Sequence, residues 1–184
     1  MSWQLDKAHS SVEFSVRHMM ISKVRGRFED FEVTVNFDES NPTNTSVDAT
    51  VDIASINTRE PQRDGHLKSP DFFNADAYPT MTFKSTKVEK VDNSHAKLIG
   101  DLTIQNVTKP VTLDVEYAGK AVNPFTGSET VGFTANGKIS RKEWGMTWNQ
   151  ALETGGIMVG DEVTIHLEVE LVKESEQVAE QATA

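Results

Sequence analysis

Lys23-Val24-Arg25-Gly26-Arg27-Phe28-Glu29-Asp30-Phe31-Glu32-Val33-Thr34-Val35-Asn36-Phe37 decides the fold. In its first half Val24, Gly26 and Phe28 alternate with Lys23, Arg25 and Arg27; in its second, Phe31, Val33, Val35 and Phe37 alternate with polar residues. Successive side chains of an extended strand point to opposite faces, so each half has one apolar and one wetted face. The apolar parity switches at Glu29-Asp30. An extra residue that flips parity inside a strand marks a β-bulge, which bends a strand around a corner.

The same alternation recurs before and after this stretch, giving eight segments in all. Val12, Phe14, Val16 and Met20 precede it. Val47, Ala49, Val51 and Ile53 follow, then Met81, Phe83 and Ser85, the weakest of the set, and Leu98, Gly100, Leu102 and Ile104. The last three are Val111 to Tyr117, Val131 to Ile139 and Val163 to Leu171. Helical periodicity is nearly absent. Turn residues at Asn41-Pro42, Asp92-Asn93-Ser94, Asn106-Val107-Thr108 and Asn123-Pro124 to Gly127 join the segments, so neighbours are antiparallel.

Long strands with one apolar face lose their exposed edges by closing or by folding over, which predicts an all-β chain forming an eight-stranded antiparallel β-barrel, with a sandwich as the alternative. A barrel of this size is filled by side chains or holds one small ligand. Gly26, Ala49, Gly100, Ala135 and Gly137 fall in the apolar parity, which predicts unoccupied volume inside; relief of strand curvature is the competing explanation. On the first reading Gly100→Leu would enter ligand space with little loss of stability.

Two stretches break the alternation. Arg59 to Pro70 reads as a short helix with Pro61 in its first turn and Pro70 past its end. Arg141 to Trp148, followed by Gly155-Gly156, is the second break, and the two are expected to form short helical caps on the barrel mouth. Trp144, Met146 and Trp148 recur every second residue and, if extended, would give a soft apolar rim.

At 184 residues the chain suits one domain, expected over residues 1–173, with an acidic disordered tail over 174–184. A net charge of -10 argues against nucleic acid and anionic surfaces as non-specific partners. There is no cysteine, hence no disulfide and no thiolate chemistry. The beginning Met1-Ser2-Trp3 carries no signal-like apolar run and no segment spans a membrane, so the expectation is cytoplasmic, or periplasmic if a signal has been removed.

Candidate chemistry is sparse. His9, His18, His66, His95 and His166 show no metal-ligand spacing, and no metal is expected. Gly132 to Lys138 matches the glycine and lysine spacing of a phosphate loop, but Ile139 stands where Ser or Thr is required and the residues alternate as a strand. No Gly-x-Ser-x-Gly elbow is present. His18 shares the apolar parity of Phe14 and Val16, which makes it a satisfied core histidine or a group that orients a polar part of a ligand. Arg63-Asp64-Gly65-His66 reads first as an ion pair anchoring the helical cap. Its rival is an enzyme using His18, His66 and Asp64 as acid and base; a third reading, supported by the acidic surface and tail, is a ligand-free interaction module with a filled barrel.

Leu5-Asp6-Lys7-Ala8-His9-Ser10, Val12 to His18 and Val24-Arg25-Gly26-Arg27-Phe28 resemble the start of the YceI-like family. Arg63 to Phe73, Tyr78 to Ser85, Gly100 to Ile104 and Lys109-Pro110-Val111 resemble its later motifs, so the resemblance covers residues 3–172. It implies a lipocalin-like barrel whose tunnel binds a polyisoprenoid chain, such as an isoprenoid quinone or a prenyl diphosphate, as carrier or store. No cofactor is expected beyond such a lipid. The expected partner is therefore an apolar small molecule, with no stable membrane insertion and a homodimer left open. Parity and the caps select Phe14, Val16, His18, Phe28, Val51, Ile53, His66, Phe83, Leu102, Phe133, Trp144, Met146, Trp148 and Ile165 as its contacts.

Overall fold

The computed structural model describes residues 2–174, so the expected tail lies outside the described residues except for Glu174. Strand β1 (Trp3–Leu5) is followed by β2 (Ser11–His18), β3 (Ser22–Phe28) and β4 (Phe31–Asn36). Next come β5 (Ser46–Asp52), the short β6 (Ile56–Asn57) and the one α-helix among the described residues, α1 (Pro61–Lys68). Long strands complete the chain: β7 (Thr80–Lys90), β8 (His95–Ile104), β9 (Val107–Val122), β10 (Glu129–Ser140) and β11 (Val159–Lys173). All pair antiparallel in a single curled sheet.

The sheet has eleven strands where eight segments were expected. One expected segment is broken in two, and β1 and β6 are added where no alternation was read. The parity flip at Glu29-Asp30 separates β3 from β4, and a 3-10 turn at Ile53–Ser55 separates β5 from β6. These breaks lie side by side. Phe28 pairs with Ile56 below them and Phe31 with Val51 above, while Glu29 N–H donates to Ser55 O (3.2 Å) and Asp52 N–H to Asp30 O (3.0 Å). Both aromatic rings are thereby buried although three residues apart, which an unbroken strand could not do.

From β5 the sheet runs through β7, β8, β9, β10 and β11 to β2 and β3, and β2 meets β11 through Val12↔Leu167, Phe14↔Ile165 and Val16↔Val163. Because β3 continues into β4 and β5 into β6, the two ends of the path are joined by the chain itself. Apolar side chains collect on the concave face. Buried clusters lie around Trp144, around Phe28, Phe31, Val51, Ile53 and Ile56, and around Trp3, Val131 and Leu171.

Helix α1 begins where the sequence places it: Pro61 occupies its first turn and the Glu60 carboxylate accepts from Gln62 and Arg63 N–H. The second expected helical cap is a 3-10 turn, Arg141–Trp144, ended by Gly145 at φ +80°.

The inward glycines do not mark empty space. A Cβ on Gly100 would sit 2.4 Å from Phe83 Cζ and 2.7 Å from the Lys84 carbonyl oxygen, one on Gly26 would sit 2.4 Å from Phe14 Cζ, and one on Gly137 would sit 2.7 Å from Leu113 Cδ2. Each glycine admits a neighbouring side chain instead. Gly100→Leu is therefore expected to destabilise the protein by about 1–3 kcal/mol through overpacking, read as a lower midpoint of thermal unfolding. An unchanged midpoint would restore the reading as open volume.

Candidate ligand-binding site

The sheet curls around a cavity of about 810 Å³ lined mainly by apolar side chains. Almost every strand contributes, because inward parity places one residue in two on the concave face: Phe14 and Val16 from β2, Val33 from β4, Ala49 and Val51 from β5, Phe83 from β7, Leu113 from β9, Ile165 from β11. Its volume lies within the roughly 300–1,000 Å³ of small-molecule sites.

At one end the lining becomes polar. Gln62, Arg63 and His66 of α1 face the cavity there, with His18 at the end of β2, Arg141, Trp148 and Met158. His66 is packed edge-on to Trp148 (4.7 Å between ring centres) and Phe72 (5.1 Å), and its Nε2 lies 2.9 Å from Asp71 Oδ2. Of the stretch expected to anchor the helix by an ion pair, His66 meets Asp71, while Arg63 and Asp64 share an uncharged anchor, the buried Thr58. Asp64 accepts from Thr58 N–H (2.9 Å) and Oγ1–H (2.5 Å), while Arg63 donates to Thr58 Oγ1 and to its carbonyl (both 2.8 Å). No hydrogen bond links His18, His66 and Asp64 among the described residues; Asp64 is engaged by Thr58, while His18 and His66 both line the cavity.

The Arg141 guanidinium holds the second cap. It is almost fully buried and donates to Gly160 O (2.8 Å), Met146 O (2.6 Å) and Val159 O (3.3 Å), with its charge over the Phe72 ring. Burial lowers its pKa from the usual arginine value, and Asp161, 3.8 Å away, opposes that shift. Arginine remains protonated throughout. Asn149 supports the same loop, donating to Val159 O and accepting from Met158 and Val159 N–H.

Of the residues expected to contact a ligand, Phe14, Val16, His18, Phe28, Val51, His66, Phe83, Leu102, Phe133, Met146, Trp148 and Ile165 line the cavity. Ile53 and Trp144 do not. Both sit in 3-10 turns, where period-2 parity ends; Ile53 is buried among Phe28, Phe31, Val51 and Ile56, and Trp144 Nε1–H donates to Leu102 O (3.0 Å). Sequence reading missed Arg63 and Arg141 as lining groups, although each falls inside one of the two expected caps.

Among the described residues no helix is long and apolar enough to cross a membrane. Residues 3–171 match the YceI-like domain family. A UPF0312 protein of Staphylococcus aureus (strain USA300) is 42% identical over 169 residues, covering 92% of this chain and 96% of the relative. The crystal structure of Burkholderia cenocepacia BcnA superposes with a TM-score of 0.79 at 25% identity, covering 91% of this chain and 99% of that one. A polyisoprenoid binding domain from Saccharophagus degradans, implicated in plant cell wall breakdown, superposes at 0.66 with 11% identity, covering 95% and 99%. At that identity the likeness is one of fold.

Proposed function

We propose that this chain, which belongs to the YceI-like family, is a lipocalin-like barrel that encloses one long isoprenoid chain and carries or stores it. The observation that supports this reading is the cavity: about 810 Å³, lined mainly by apolar side chains, with Arg63, His66 and His18 grouped at one end. Each methylene buried contributes roughly 0.8 kcal/mol, so a few isoprene units outweigh the entropy of ordering the chain. The polar end suits a head group, a quinone ring or a diphosphate, beside Arg63, His66 and His18. An isoprenoid ligand agrees with what the Saccharophagus degradans domain, a neighbour in fold, is said to bind.

Mass spectrometry of protein purified from its native host under non-denaturing conditions tests the reading. A stoichiometric isoprenoid lipid is the expected result. Recovery of lipid-free protein that also fails to take up prenyl quinones would overturn it.

A further inference from the structure

We propose that the turn Met19-Met20-Ile21 seats the protein on an anionic phospholipid bilayer, with the polar end of the cavity turned toward the lipid. The purpose of such docking rests on the apolar-ligand reading above; the chemistry of the surface does not.

Three neighbouring apolar side chains are presented to water here. Met19, Met20 and Ile21 are 41%, 56% and 81% exposed, and Ile157 beside them is 38% exposed. The turn is braced against the loop that flanks the cavity: Met19 N–H donates to Met158 O (2.7 Å), and Met20 Sδ occupies the space above Gly156 where a Cβ would fall. His18 and Met158, on either side of this contact, both line the cavity.

The backbone makes the choice of residues telling. Met19 and Met20 both have positive φ, +50° and +62°, the pattern of a tight hairpin that favours Asn and Gly. At the corresponding turn between β8 and β9 the second such position is Asn106, a residue suited to it. Two bulky apolar side chains in left-handed conformations and in water are doubly unfavourable for an isolated turn. A lipid surface would remove the part of that penalty due to exposure.

Charge selects which surface. Arg17 pairs with Lys23 and Ser15 with Arg25 on the outer faces of β2 and β3, directly behind the tip. These three cations are exposed and form no ion pair among the described residues, whereas nearby Arg27 is held by Glu29. Of the acids at this end Glu162 is held by Lys138 and Asp161 by Lys142, while Glu13, Glu143 and Glu153 form no ion pair among the described residues. On a chain of net charge -10 the patch is a local exception. Cations next to an anionic leaflet each favour binding by about fivefold, within a Debye length of about 8 Å, and their stems let them reach lipid head groups while the apolar tip inserts.

Flotation of ligand-free protein with phosphatidylcholine vesicles, alone or mixed with phosphatidylglycerol, tests the proposal. Binding to the mixed vesicles only, weakened at high salt, is expected. Ile21→Asp should lower partitioning at least about 30-fold and Lys23→Gln about fivefold, while Phe125→Ser, at the opposite end of the sheet, should leave it unchanged. Prenyl quinone uptake from detergent should survive Ile21→Asp, since Ile21 does not line the cavity, and thermal unfolding of each variant checks its fold. Absence of vesicle binding, or binding equal for neutral and anionic vesicles, overturns the proposal. So does a dimer that Ile21→Asp dissociates in a protein that ignores vesicles, which would assign the tip to a second copy. Vesicle binding by a protein whose cavity takes no quinone would leave the docking standing and the ligand reading refuted.

Discussion

Ala49→Trp is expected to weaken isoprenoid binding at least about 100-fold while the protein stays folded. Ala49 lies on β5 between Val33 of β4 and Phe83 of β7, half-buried on the cavity wall. Here the side chain is small and faces the void, unlike Gly100, whose space a phenylalanine ring already fills. An indole brings some 150–250 Å² of surface into that void and displaces several methylenes of ligand, each contributing roughly 0.8 kcal/mol. Calorimetric titration with a prenyl quinone, beside thermal unfolding, reads both effects. Wild-type affinity in a folded variant would mean that the ligand does not occupy this cavity.

A different variant should spare the void and break its closure. Arg141→Ala would leave the carbonyls of Met146, Val159 and Gly160 without their donor, and Asp161, whose Oδ1 is buried without a hydrogen bond among the described residues, with Lys142 as its one remaining cation there. Orphaned buried acceptors cost about 1–3 kcal/mol each, and relaxation of the loop recovers part, so a loss of about 3–5 kcal/mol is expected. For a chain of this size that lowers the unfolding midpoint by roughly 10 °C or more. Arg141→Lys keeps the charge but not the planar fork that reaches three carbonyls, and should recover only a minor part. A midpoint within a degree or two of wild type for Arg141→Ala would show that the guanidinium is not what holds the cap.

Those two residues also mark the limit of what the chain discloses before it folds. Strand faces were legible because parity is a local property: the flip at Glu29-Asp30 can be read from fifteen residues, and burial of both Phe28 and Phe31 follows from it. Helix α1 was legible because Pro61 and Glu60 act within one turn. Parity failed where the backbone ceased to be extended. Trp144, Met146 and Trp148 share a spacing, yet the 3-10 turn and Gly145 direct Trp144 to Leu102 while the other two reach the cavity. The glycines misled for another reason. Whether a missing side chain leaves a void depends on which residue of the adjacent strand leans across it, and Phe14 over Gly26 is a fact of pairing register. Strand β1 escaped notice because three residues are too few to alternate, although Trp3↔Lys173 and Leu5↔Leu171 fix it beside β11. Arg141 carried no pattern at all; its partners are carbonyls, which any sequence supplies.

The pairing of β2 with β11 also has a kinetic meaning. Hairpins β7 to β10 close through short turns, but Val12 must find Leu167 across nearly the whole chain, so this seam bears the largest loop-closure entropy of the long strand pairs. Until it forms the sheet is an open, apolar-faced ribbon and the cavity does not exist. The interior is thus created by the most non-local event of folding, and a ligand that fills it binds only the closed form, acting as a latch on that seam.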